Sequence, residues 1–195
     1  MKKLICLAIA MVFCFTAGAM AEYEPSKSTA DMAKVTAFKA ADGVEVENDF
    51  GVTLQGGELQ VALCDEIIDK LAKAEEEGKL AEFYSDLKDE SGADVSLQEM
   101  LGTEAIAVYE VVPLVCENYD DAYETMTVSF AFSTPYEEDE QVIVVVLIPD
   151  PETGALKKIA LKGVGNSENG IDVEFPPEVL KAIENGTATM TIISK

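Results

Sequence analysis

The sequence predicts an α+β chain that is mostly β. An antiparallel sandwich, immunoglobulin-like in shape, is expected in the C-terminal half, with a helical insertion at about 65–102. Three observations carry this. Met126, Val128, Phe130 and Phe132 alternate with Thr125, Thr127, Ser129 and Ala131, the pattern of a half-buried strand. Gln141 to Ile148 (QVIVVVLI) is apolar on both faces, as a central strand must be. Between residues 65 and 87, Ile67, Ile68, Leu71 and Ala72, then Leu80, Phe83, Tyr84 and Leu87, recur at helical spacing.

Taken in order, residues 1–21 have the three parts of a secretory signal peptide. Lys2 and Lys3 form a positive start, Leu4 to Phe15 a short apolar run, and Ala19-Met20-Ala21 a small-x-small cleavage site. The run is too short for a bilayer span, which needs about 20 residues. The mature chain is expected to begin at Glu22, with 22–31 as a flexible lead-in. An N-terminal α+β region over 32–121 comes next, then a sandwich-like region over 122–195 that either shares its core or has its own.

Val35 and Ala37, a turn at Asp42-Gly43, then Val44 and Val46 suggest a hairpin, and Leu59, Val61 and Leu63 read as one face of a strand. Helical spacing begins at Asp65 and stops at Gly78; a second stripe runs from Leu80 to Leu87. Ser96-Leu97-Gln98-Glu99 has the form of a capping box, so a short helix should start there and end at Gly102. Ile106 to Val115 reads as a strand whose Pro113 demands an edge or a bulge. Asp150 to Gly154 has turn chemistry and leads into a strand over Leu156–Lys162. Ile171, Val173 and Phe175 form a strand with one wet face. Pro176-Pro177 opens a helix closed by Asn185-Gly186, and Ala188 to Ile193 is the last strand.

Composition excludes more than it proposes. The chain contains no histidine, arginine or tryptophan, which removes the proton shuttle of neutral pH, the bidentate anion clamp and the commonest stacking platform for sugars. Its net charge of −23 becomes −25 once the two lysines of the signal are gone. Such repulsion argues against nucleic acid or anionic lipid as a partner. No segment after the signal is long enough to span a membrane, since Gln141 to Ile148 has only strand length, so no membrane insertion is expected after cleavage. The apolar fraction of 48% and the runs after residue 100 argue for a folded chain.

Several residues are candidates for chemistry. Cys64 and Cys116 are the two cysteines left after cleavage, and in an oxidising compartment they suggest one disulfide; the alternative is a pair of buried thiols. Closing that loop would contribute about 4 kcal/mol. Calcium needs only oxygen ligands, and the acidic loops holding Asp120, Asp121, Glu137, Glu138 and Asp139 are its candidate ligands, although each alone reads as a solvated turn. Tyr119, Tyr123 and Tyr136 lie in or beside those loops and are candidates for partner contact. No nucleophile motif, P-loop or dinucleotide fingerprint is present.

The expectation is therefore an exported, non-enzymatic binding or structural module of the cell envelope or extracellular space. It needs no cofactor and has a protein or a glycan as partner. The alternatives are a carboxylate-based hydrolase of the glycoside type, which would need two close carboxylates in a deep cleft, and a calcium-stabilised structural module.

Overall fold

The structure is a computed structural model that describes residues 22–23, 34–39, 52–54, 56–103, 106–117, 119, 125–132, 135–184 and 186–195. In chain order the elements are β1 (Glu22–Tyr23), β2 (Lys34–Lys39), β3 (Val52–Thr53), α1 (Glu58–Glu76), α2 (Leu80–Phe83) and α3 (Leu97–Leu101). Then come β4 (Ala107–Cys116), β5 (Met126–Ala131), β6 (Gln141–Pro149), β7 (Leu156–Gly165), β8 (Ile171–Phe175), α4 (Pro177–Ile183) and β9 (Ala188–Ser194).

The strands form one continuous sheet in the order β1-β4-β9-β6-β7-β8-β5-β2, with β3 added beside β4. Seven of them, β2 and β4 to β9, are antiparallel and curve into a half-barrel. The fold is thus mostly β with a few helices. Hydrogen bonding runs unbroken across the strands, so the expected division into two stacked sheets is not drawn by the ladder. β2, at one end of the path, comes close to β3 at the other.

β6 explains the layering. Val142 to Leu147 are all buried, and alternation sends them to opposite faces. Val142, Val144 and Val146 enter the concave face beside Val112, Leu114, Val128, Phe130, Phe175, Met190 and Ile192, and α4 closes that core with Val179, Leu180 and Ile183. Ile143, Val145 and Leu147 enter the convex face, with Val108, Val111, Ala160 and Ile193, beneath Ile67, Leu71, Leu80, Tyr84, Leu97 and Leu101 of the helical segment. Residues on both sides of position 121 therefore share each core.

β4 contains an irregularity that sets which of its side chains face the concave side. Val108 pairs with Ile193 and Glu110 with Ile192, so Tyr109 is an extra residue in the ladder. The bulge shifts the phase: Val108 and Val111 both face the helices, while Glu110 joins Val112 on the concave face. Pro113 is tolerated because, among the described residues, the outer side of β4 is paired only at Ala107–Val108, by β1, and at Val115–Cys116, by β3.

The sequence-based boundaries fail in two places. Leu59, Val61 and Leu63 are not a strand; α1 starts at Glu58 and buries Cys64, Ile67 and Leu71, leaving Leu59 74% exposed. Three alternating apolar residues fit the first turns of a helix as well as a strand, and no side-chain cap at Gly57 marks the start. The second stripe is helical only over α2, although Tyr84 and Leu87 beyond it are still buried. α3 agrees with its box: Ser96 Oγ accepts from the Glu99 N–H at 3.2 Å, and Gly102 ends the helix at φ +67°. β1 begins at the first residue of the expected lead-in, while the hairpin turn at Asp42-Gly43 lies outside the described residues. No helix among the described residues is long and apolar enough to cross a membrane.

Candidate functional site

The buried polar groups of the concave face gather at one end, where β4, β9 and the lead into β6 meet. Alternation puts Glu110, Ser194 and Glu140 on that face, in phase with Val112, Ile192 and Val142. Glu110 is fully buried, and the Ser194 hydroxyl, 2% exposed, donates to Glu140 Oε1 at 2.5 Å. Tyr136 covers this end. Its ring meets Phe132 edge-on at 6.1 Å between centroids, it is 3% exposed, and its hydroxyl has no hydrogen-bond partner. Burial pushes the ionisation of Tyr136 far up, and the negative field of Glu110 and Glu140 pushes it further.

The loop before β6 is what turns Glu140 inward. Asp139 adopts φ +65°, its N–H donates to the Gly165 carbonyl at 3.0 Å, and the Gly165 N–H returns a bond to the Glu140 carbonyl at 2.8 Å. Glu140 Oε2 accepts from the Glu137 N–H at 3.0 Å. Such close approach requires glycine at 165, where a Cβ would lie 1.9 Å from the Glu137 carbonyl oxygen.

The residues expected from sequence fare unevenly. Glu137, Glu138 and Asp139 are exposed and turned outward, and Asp120 and Asp121 lie outside the described residues. Among the described residues, no group of three or more acidic or cysteine side chains is placed to hold a metal ion. Tyr136 is corrected from an exposed contact residue to a core residue: a loop position next to four acids looked wet, but the ring fills the end of the half-barrel. Tyr119 is half-buried, with its N–H bonded to Glu184 Oε1 at 3.2 Å, and Tyr123 lies outside the described residues.

Of the two readings for Cys64 and Cys116, a disulfide or a pair of buried thiols, the structure shows the second. Both are free, buried thiols, Cys64 in the core under the helices and Cys116 in the concave core, so the sheet itself stands between them. Burial pushes each thiol up to about 11. At neutral pH neither offers a thiolate.

Sequence reading missed Glu110 and Glu140. An acid inside the otherwise apolar AVYEVVPLV run was a usable sign for Glu110; Glu140 is indistinguishable by sequence from its three acidic neighbours. Nothing in the residue pattern pointed to a polar seam beneath α1 and α2 either. There the fully buried Thr189 contacts Cys64 Sγ at 3.6 Å, and the fully buried Thr191 accepts from the Tyr84 hydroxyl at 3.2 Å.

Two shallow grooves lie in the helical segment. One, of about 290 Å³, has Phe83 and Ala74 between Lys70, Lys73 and Lys79. Lys70 is paired with Glu66 at 2.6 Å and Lys79 with Glu77 at 2.9 Å, so the rim is close to neutral. The other, of about 260 Å³, lies between Ala81, Tyr84, Val95 and Gln98. No family model, no curated protein and no solved structure matches this chain.

Proposed function

We propose that this protein is an exported, non-enzymatic binding or structural module of the cell envelope or the extracellular space. One observation carries the reading most: the sheet is packed with apolar side chains on both faces, so its described grooves sit outside, on the helical segment. A half-barrel filled in this way would serve as a rigid platform for surface contacts, the part an immunoglobulin-like sandwich plays in other exported modules. Export is argued from residues 1–21, and a protein or glycan partner from the absence of basic stripes and of tryptophan.

A carboxylate hydrolase is the second reading, because Glu110 and Glu140 share one end of the concave face. It is disfavoured because Tyr136 covers that end and both Glu140 oxygens are committed to the loop and to Ser194.

The test uses the chain from Glu22, immobilised and exposed to envelope extract of the source cells. A stoichiometric partner that free protein displaces is expected, together with no turnover across a panel of chromogenic glycosides. Turnover that disappears in Glu140→Gln would replace this reading with the hydrolase.

A further inference from the structure

Leu59 and Val61 are the large apolar side chains left exposed among the described residues, and both lie in the opening turn of α1. They point in different directions. At about 100° per residue, Leu59 shares one edge of the helix with Leu63, Glu66, Lys70, Lys73 and Glu77, while Val61 lies on the other side. Steps along that edge alternate between four and three residues, the rhythm of a coiled-coil seam. The edge is open to solvent: Leu63 is half-buried, and the four charged side chains are exposed.

The same edge carries a receptor for a side chain like Leu59. Lys70, Lys73, Ala74 and Glu77 line the groove of about 290 Å³, with Phe83 of α2 at its side. Their i, i+3, i+4, i+7 arrangement is the hole into which a coiled-coil knob fits. Leu59 cannot fill the hole of its own helix, because Ala74 lies about 22 Å further along the axis. A second α1 laid antiparallel places one Leu59 in each groove.

Charge selects that direction. Residues 58–69 contain four acids and no lysine, whereas residues 70–79 contain three lysines and three glutamates. Antiparallel alignment sets the acidic half against the balanced half; parallel alignment would set four acids against four. With Glu66 opposite Lys70 of the second copy, Leu63 meets the apolar stem of Lys73, Leu59 meets the groove at Glu77, and the twofold axis repeats each pair. Glu66 and Lys70 already pair within one chain at 2.6 Å, so sharing partners across the axis keeps both charges matched.

We infer that α1 is a self-association face: two copies of this chain pair antiparallel along the edge from Leu59 to Glu77, each placing Leu59 in the groove of the other. The inference goes beyond the functional reading and does not rest on it; Val61 stays open to a different partner. The large negative charge of each chain opposes the encounter, so the dimer is weak and forms where salt screens that repulsion.

Sedimentation equilibrium of the chain from Glu22, in about 0.15 M salt, tests it. The mass should rise from one chain towards two between about 5 and 500 μM. Leu59→Lys should weaken association at least about tenfold and leave Tm unchanged in the dilute, monomeric range. Lys70→Glu and Glu66→Lys each set like charges across the axis, so each chain alone should stay monomeric. An equimolar mixture of those two variants should regain the dimer, a rescue that only antiparallel pairing at these positions gives. A single-chain mass at every concentration overturns the proposal, as does a dimer undiminished by Leu59→Lys or a mixture that stays monomeric. A Tm several degrees lower for dilute Leu59→Lys also overturns it, by showing that Leu59 packs against its own chain. None of these outcomes bears on the envelope partner, which the experiment with immobilised chain reads separately.

Discussion

Tyr136 is the residue that most departs from its apparent role, because a tyrosine beside Glu137, Glu138, Asp139 and Glu140 is fully packed yet leaves its hydroxyl without a partner. Burying an unsatisfied hydroxyl costs about 1–3 kcal/mol. Tyr136→Phe should therefore keep or raise stability, by up to about 1 kcal/mol in urea denaturation, since the ring contacts with Phe132 survive. A loss of more than about 1 kcal/mol would mean that the hydroxyl has a partner in solution. Gly165→Ala should behave in the opposite way, costing about 3 kcal/mol, because the added Cβ meets the Glu137 carbonyl oxygen and forces the loop off the β7 end. A midpoint within error of the parent would show that the loop does not approach β7 this closely. None of this was legible from residue types. Sequence shows that Tyr136 borders acids and that residue 165 is glycine; burial of one and close approach at the other arise only when β6 and β7 pair.

At the scale of elements, much of the chain beyond residue 100 could be read from apolar patterning, because β5 and β8 bury alternating rows and β6 is apolar throughout. β5 buries Met126, Val128 and Phe130; β8 buries Ile171, Val173 and Phe175; β6 is covered on both sides. α3 was legible through its cap, and Ser96→Ala should lower stability by about 1 kcal/mol, with Ser96→Asp restoring most of it. Denaturation midpoints would show this, and equal midpoints for the parent and the Ser96→Ala chain would mean the cap contributes nothing. The start of α1 was not legible, since Leu59 and Val61 are exposed apolar residues that imitate a strand face. Nor was the bulge at Tyr109, which a single extra residue creates without any local marker. That bulge breaks the phase between Val108, under the helices, and Glu110, which alternates normally with Val112 on the concave face, so the face of Glu110 could not be read by counting from the start of β4.

For the whole molecule, one sheet with two cores decides what the thiols do. Cys64 and Cys116 are separated by the sheet, so the unreduced chain from Glu22, which lacks Cys6 and Cys14, should show no reaction with a thiol reagent at neutral pH and two equivalents once unfolded. Fewer than two after unfolding would restore the bridge. Both thiols ionise near 9.0 when exposed and near 11 when folded. The unfolded chain therefore releases protons first as pH rises, and the stability linked to the thiols, intact below pH 9, is lost between about pH 9 and 11. Urea midpoints across that window should fall more steeply for the parent than for a chain carrying both Cys64→Ala and Cys116→Ala. Parallel slopes would contradict the buried-thiol account.

The two filled faces also carry the proposed reading, since the grooves found among the described residues lie on the helical segment. Methyl-resolved NMR of the Glu22–Lys195 chain titrated with its isolated partner tests this most directly. The account predicts shifts at exposed methyls such as Leu59 and Val61, with those of Val128, Val144 and Met190 unmoved. Shifts centred on the latter three would place the ligand inside the half-barrel and contradict it.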